Sequence, residues 1–219
     1  MNIEGAIFDM DGLMVDSEPI WHKSWEISLA RVGLSVKDGM LEAFTGSARP
    51  RVEKLLREFY GDSPEAFAAL EDHYVVAEEL FVSGGAPKKP GLDDLLVWLS
   101  EKGVPTAVAS SSSRVLVEAV LGHAGITGYF DVVRCGDGGY PSKPAPDIFL
   151  SAAEGIGVSP SDAMVLEDSP AGIRAAVTGG FIPVMVPDVV QPDDELRSLA
   201  YRVCSSLGEV KELLAAGTF

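Results

Sequence analysis

Hydrophobic positions along this chain follow two different periods. Near the N-terminus Ala6, Ile7 and Phe8 form a short unbroken apolar run, the pattern of a strand buried on both faces. It stops abruptly at Asp9-Met10-Asp11-Gly12. From residue 16 to about 84 the spacing is helical. Trp21, Trp25, Leu29 and Val32 recur on one face, with Ser17 as cap, Pro19 in the first turn and Gly33 as the stop. Leu41 and Phe44 mark a second short helix before Gly46, and Val52, Leu55, Leu56 and Phe59 a third that stops at Gly61. Pro64 opens a fourth, with Phe67, Leu70, Tyr74, Ala77 and Phe81 on one side. No strand pattern interrupts this region, which predicts a small helical bundle inserted after the first strand.

Ser83-Gly84-Gly85-Ala86-Pro87 reads as a hinge. Beyond Pro90-Gly91, strands and helices alternate. Leu92, Leu95, Leu96 and Leu99 predict a helix before Gly103, and Thr106–Ala109 a strand ending in Ser110-Ser111-Ser112-Ser113. Val115–Leu121 reads as a helix, Phe130–Val133 as a short strand, and 136–142 as a Gly-Pro loop delivering Lys143. Pro146–Glu154 is helical. Ala163–Leu166 is a strand ending in Glu167-Asp168, with Ser169 and Pro170 as cap and first residue of a helix through Val177. Ile182–Val186 reads as the last strand and Glu209–Ala216 as the closing helix. Such alternation predicts an α/β fold, a doubly wound parallel sheet. The domains are then 1–15 with 85–219 for the α/β core, and 16–84 for an all-helical cap.

Composition narrows the function. The chain has 219 residues, 47% hydrophobic and 23% charged, enough for a sizeable soluble core. Its formal net charge of -16 opposes nucleic acid and anionic membrane surfaces. No apolar run approaches the ~18 residues of a membrane span, and the N-terminus lacks a leader pattern, so a cytoplasmic enzyme is expected. Cys135 and Cys204 are far apart and without metal-ligand spacing; they read as buried small hydrophobes in a reducing compartment.

The chemistry lies where predicted strands end. Asp9 and Asp11, Ser110, Lys143, and Glu167 with Asp168 come from four segments and fall on the carboxyl edge of the sheet, where open parallel sheets bind ligands. Close carboxylates at an effective dielectric of 20 repel by about 4 kcal/mol per pair. A hard divalent cation, Mg²⁺, relieves that repulsion and with Lys143 draws in a phosphate. Ser110 and the backbone N–H groups after it, Ser111 included, suit phosphate oxygens at a helix N-terminus, and Gly12 is counted with Ser111 among the substrate contacts. Asp9 is placed to attack phosphorus and form an aspartyl phosphate. Asp11 is placed to protonate the leaving oxygen and then to deprotonate water.

Phe8-Asp9-Met10-Asp11-Gly12, Ser110, Lys143-Pro144-Ala145-Pro146-Asp147 and Leu166-Glu167-Asp168-Ser169, in that order, resemble the four motifs of the haloacid dehalogenase superfamily. The likeness is nearest to its β-phosphoglucomutase-like sugar-phosphatase branch and spans nearly the whole chain, the cap included. It implies a Rossmann-like core and Mg²⁺ bound by the side chains of Asp9 and Asp168 and the backbone carbonyl of Asp11, with Glu167 supporting the ion through water. It also implies a Mg²⁺-dependent phosphatase of small phosphorylated metabolites, sugar phosphates first, acting as a monomer. A β-phosphoglucomutase-type mutase is the alternative. That enzyme carries a lysine midway along its last cap helix, where this chain has His73-Tyr74-Val75-Val76-Ala77. A phosphoaccepting signalling module is a third reading, disfavoured by the paired aspartates and the inserted cap.

Within the cap, Gly46-Ser47-Ala48-Arg49 resembles the family's specificity loop, where an Arg anchors an anionic group of the substrate; Arg51 competes with Arg49. Trp21 and Trp25 read as cap core more than substrate platform, and His22 as either cleft-facing or solvated. His73 and His123 have no partner pattern. Asp16 is expected to order the hinge, Asp147 to serve a helix's first turn, and Ser112 or Ser113 to cap a helix.

Overall fold

The computed structural model describes residues 3–47 and 49–219. One compact unit runs to Asp16 and resumes at Pro87; the other is Ser17–Ala86.

Among its described residues the first unit is built on six strands, β1 (Gly5–Phe8), β2 (Thr106–Ala109), β3 (Val132–Arg134), β4 (Ala163–Glu167), β5 (Ile182–Met185) and β6 (Arg202–Val203), in the order β3-β2-β1-β4-β5-β6. Every pairing is parallel. β1 is central, with Phe8 opposite Val108 on one side and Leu166 on the other, so the residues after all three strands emerge at one edge. β1, β2, β4 and β5 are buried at every position, as parallel strands covered on both faces must be. On one face Ile7, Ala107, Ala109 and Val165 pack with Phe149, Ala152 and Ala176 of two crossover helices. Alternation sends Ala6, Phe8, Met164 and Leu166, all at 0% exposure, to the other. Two elements went unpredicted, β6 and a helix at Asp194–Leu199; β5 is therefore not the last strand. The chain segments flanking the insertion are stitched together: Asp16 N–H donates to the Pro87 carbonyl at 2.8 Å and Lys89 N–H to the Met14 carbonyl at 2.8 Å.

Among its described residues the second unit holds four helices, α1 (Glu18–Arg31), α2 (Met40–Phe44), α3 (Arg49–Tyr60) and α4 (Pro64–Gly84). Trp25, Leu29, Met40, Phe44, Leu56 and Leu70 form its core, each large side chain contributing roughly 1.5–3 kcal/mol by leaving water. Ser24 and Ser28 on α1 are fully buried, as are Ala66, Ala69 and Ala77 on α4. The buried stripe of α4 is centred differently from the sequence expectation. It runs through Ala66, Ala69, Leu70, His73, Val76, Ala77 and Phe81, and Tyr74 is 39% exposed. Small residues set that face, because they let helix backbones approach closely, and the aromatic pattern concealed them.

Candidate active site

The β1 strand ends at Phe8, and the next peptide is still held by the sheet: Asp9 N–H donates to the Leu166 carbonyl at 3.0 Å. The Asp9 side chain is thus delivered, 7% exposed, to the carboxyl edge. Gly12 follows with φ +79°, and a Cβ there would sit 2.5 Å from Asp168 Oδ2. Any side chain at Gly12 would displace that carboxylate. Its N–H donates to the Val15 carbonyl at 3.0 Å. What Gly12 gives the site is space.

Lys143 ties the edge together. Its Nζ lies 2.5 Å from Asp9 Oδ1, 2.7 Å from Glu167 Oε1 and 3.3 Å from the Ala109 carbonyl. Glu167, 1% exposed, accepts with its other oxygen from the N–H and Oγ of Ser169, both at 2.8 Å. Ser169 Oγ in turn accepts from Gly172 N–H at 3.0 Å, capping α8 (Pro170–Thr178), numbered after α5 (Leu92–Glu101), α6 (Arg114–Ala124) and α7 (Asp147–Ile156). Both Glu167 oxygens are therefore held by protein donors. These bonds are compatible with the expected support of an ion through water, since a carboxylate has about four lone-pair sites.

The loop after β2 is equally constrained. Ser110 is fully buried, its N–H donates to the Arg134 carbonyl at 3.1 Å, and its Oγ accepts from Ser112 N–H at 3.0 Å, leaving the hydroxyl proton to donate. Ser111 N–H has no acceptor among the described residues. Gly136 lets the loop pack, since a Cβ there would lie 2.0 Å from the Ser111 carbonyl. Ser113 caps α6, while Ser112 Oγ donates to Asp11 Oδ2 at 2.8 Å, orienting the second aspartate. Asp147 stands in the first turn of α7.

Charge in this site is unbalanced. Burial, opposed by Lys143 and aided by Glu167 and Asp11, pushes Asp9 up to about 7. Burial, then the charges of Glu167 and Asp9, pushes Asp168 up to about 9. Burial pulls the Lys143 ammonium down, but Asp9 and Glu167 overcome it and hold its pKa above the ordinary value. One cation thus serves several carboxylates, a deficit that a divalent ion would fill. Among the described residues no three His, Cys, Asp or Glu side chains form a ready-made metal cage. Mg²⁺ does not require one, because it keeps several waters and takes one or two carboxylates. The donor set of Asp9, Asp168 and the Asp11 carbonyl fits that chemistry.

Sequence reasoning missed Asp188 and Lys89. Lys89 Nζ is 2.6 Å from Asp188 Oδ1, and Asp188 Oδ2 lies 3.3 Å from the position of a Gly12 Cβ, beside Asp168. The two residues are far apart in sequence, and no motif links them. In the helical unit, Arg49 is bound by Glu53 at 3.0 Å and by Glu71; Ala48 lies outside the described residues. Trp25 is core at 4% exposure, whereas Trp21 and His22 line a cleft with it.

A family model for haloacid dehalogenase-like hydrolase matches residues 3–180. The fructose-1-phosphate phosphatase YqaB of Escherichia coli is 33% identical over 83% of this chain and 95% of its own. Hexitol phosphatase B of the same species is 29% identical over 97% of each. Among solved structures, CbbY from Rhodobacter sphaeroides in complex with phosphate superposes with a TM-score of 0.76 at 28% identity, covering 95% of this chain and 96% of that one. A β-phosphoglucomutase homologue from Thermotoga maritima shares the fold at a TM-score of 0.81 and 23% identity, covering 98% and 99%. With the family model spanning most of its length and the motif residues gathered at one sheet edge, the chain belongs to the haloacid dehalogenase-like hydrolases.

Proposed function

We propose that this hydrolase is a phosphatase of small phosphorylated metabolites, sugar phosphates foremost, that works through Asp9 with Mg²⁺ bound by Asp9, Asp168 and the Asp11 carbonyl. The observation that carries the reading is the Lys143 bridge between Asp9 and Glu167 at the end of β1, beside a second aspartate oriented by Ser112. The curated relatives named above as phosphatases of a sugar phosphate and of hexitol phosphates support the substrate class.

Bound Mg²⁺ would supply positive charge that keeps Asp9 ionised and polarises the phosphoryl oxygens. The residues do the rest. Lys143 and the hydroxyl of Ser110 with Ser111 N–H hold phosphate oxygens. An Asp9 carboxylate oxygen attacks phosphorus, forming the Asp9–phosphate bond as the ester P–O bond breaks. The leaving alkoxide takes a proton from Asp11. Asp11, now ionised, removes a proton from water, whose oxygen attacks the acyl phosphate; inorganic phosphate departs and Asp9 is restored. The two buried free cysteines suit a reducing cytoplasm, and no helix among the described residues is long and apolar enough to cross a membrane.

The test is phosphate release from a panel of sugar phosphates with Mg²⁺ or EDTA, for wild type and Asp9→Asn, with product sugars checked for isomerisation. Release that needs Mg²⁺ and disappears in Asp9→Asn is the expected result. Isomerisation of β-glucose 1-phosphate with little free phosphate would replace this reading with the mutase.

A further inference from the structure

Lys143 is delivered by a loop with little backbone to hold it. Among the described residues no peptide N–H between Gly139 and Pro144 donates to a backbone carbonyl, and Pro141 and Pro144 have none to offer. The one turn there, Ala145 N–H on the Ser142 carbonyl at 3.0 Å, closes the loop on itself and ties it to nothing else. Yet the Lys143 side chain is 8% exposed, and a long flexible stem has to hold a buried ammonium between two carboxylates. The loop needs a further anchor.

Tyr140 supplies one. Its ring packs against the core cluster of Ile7, Ala107 and Phe149. It lies so close over Gly138 that a Cβ there would meet Tyr140 Cε2 at 2.5 Å. Its hydroxyl is 2.9 Å from Ser151 Oγ on α7, and Ser151 Oγ accepts from Arg134 Nε at 2.9 Å. Arg134 ends β3, and a Cβ on Gly155 of α7 would lie 2.8 Å from its Nη2, so the guanidinium runs close along that helix. Its carbonyl meanwhile accepts from Ser110 N–H at 3.1 Å. One residue at the end of a strand thus holds the Ser110 loop through its backbone and the Lys143 loop through its side chain.

We propose that Tyr140, braced by Ser151 and Arg134, is a positioning residue that sets where Lys143 stands between Asp9 and Glu167. Tyr140 touches no reacting atom. It removes the freedom that would let the loop, and the ammonium with it, drift towards water. The kinetic consequence rests on the phosphatase reading; the structural consequence does not.

Two measurements test it. Tyr140→Phe keeps the ring and its packing and removes the link to Ser151, while Ser151→Ala removes it from the other side. With p-nitrophenyl phosphate and Mg²⁺, each should lower kcat about tenfold, the upper range for one hydrogen bond. KM should stay within about twofold, because a cation at the phosphoryl group counts most where charge develops in the transition state. The second measurement is a double-mutant cycle read by urea unfolding at pH 8. Tyr140→Phe should lower the midpoint in wild type, and by less than about half as much in Lys143→Met, where the ion pairs it serves are gone. A tyrosine that only packs would cost the same in both backgrounds. Unchanged kcat in both loop variants, or equal midpoint shifts in both backgrounds, would overturn the inference. If wild type hydrolyses no ester at all, the phosphatase reading falls instead, and the unfolding cycle still judges the anchor. The kinetic arm needs no Lys143 variant, so it stands if Lys143→Met does not fold.

Discussion

Replacing Gly172 with alanine tests whether the Glu167 carboxylate is as tightly held as the geometry implies. A Cβ on Gly172 would lie 1.9 Å from both Cδ and Oε1 of Glu167 and 2.4 Å from Oε2, against an ordinary contact of roughly 3.4 Å or more. The carboxylate must therefore move by over an ångström, and it is the hub of bonds from Lys143 at 2.7 Å and from Ser169 N–H and Oγ at 2.8 Å. Hydrogen bonds to a charged group are worth about 1.5–3 kcal/mol each. Losing or stretching two of them costs about 3–4 kcal/mol, offset by up to ~1 kcal/mol because alanine is the better helix former. The net loss of about 2–3 kcal/mol lowers the melting temperature by roughly 5–10 °C in a chain of this size. Gly122→Ala is the matched control, since that glycine is also helical and a Cβ there meets nothing within 4 Å; it should stabilise by up to ~1 kcal/mol. Thermal unfolding of both variants beside wild type decides the matter. If Gly172→Ala melts at or above wild type, the bonds to Glu167 do not hold this end of the sheet as described.

Other outcomes follow from the same charges. Lys143→Met should destabilise by about 3 kcal/mol at pH 8, as removing one partner of a buried pair does, and by less at pH 5, below the value of about 7 to which burial already pushes the Asp9 carboxyl; urea denaturation at both pH values measures the difference. Mg²⁺ at 100 times its dissociation constant should add about 2.7 kcal/mol, seen as a raised melting temperature that EDTA reverses and Asp168→Asn abolishes. For His73 burial holds the folded pKa at about 4, below the ordinary value of 6.5, so the unfolded chain binds the extra proton. Its contribution is then complete above pH 6.5 and lost as pH falls towards 4, by at most about 3 kcal/mol; a His73→Phe variant with an equally steep acid limb would refute the assignment. Asp188→Asn should weaken Mg²⁺ binding, read by calorimetry, if the Lys89-held carboxylate contributes to the field at Asp168.

Much of this was legible because buried parallel strands write themselves as apolar runs, and three of them, β1, β2 and β4, end in a polar residue at the same edge. Asp9, Ser110 and Glu167 were found that way, and Lys143 from its loop. The misses have physical causes. β6 is two residues long and half outside the core, too short for any period to register. β3 begins at Val132 rather than Phe130, because Phe130 packs edge-on against Phe8 at 5.6 Å instead of entering the sheet. The demand for glycine at 172 comes from a neighbour's carboxylate, and the Lys89–Asp188 pair joins residues that only folding brings together. His73 carried no motif; its Nδ1 is 2.6 Å from the Leu70 carbonyl, one helical turn away.

The paired segments at Asp16–Pro87 and Met14–Lys89 have an evolutionary consequence. Their hydrogen bonds make the core treat everything from Ser17 to Ala86 as one loop with fixed ends. Closure entropy grows only logarithmically with loop length, so an insert of this size costs the core roughly 2–3 kcal/mol more than a four-residue turn would. A lineage can thus lengthen, shorten or exchange the insert without rebuilding the sheet, while the carboxylates at the sheet edge stay in place.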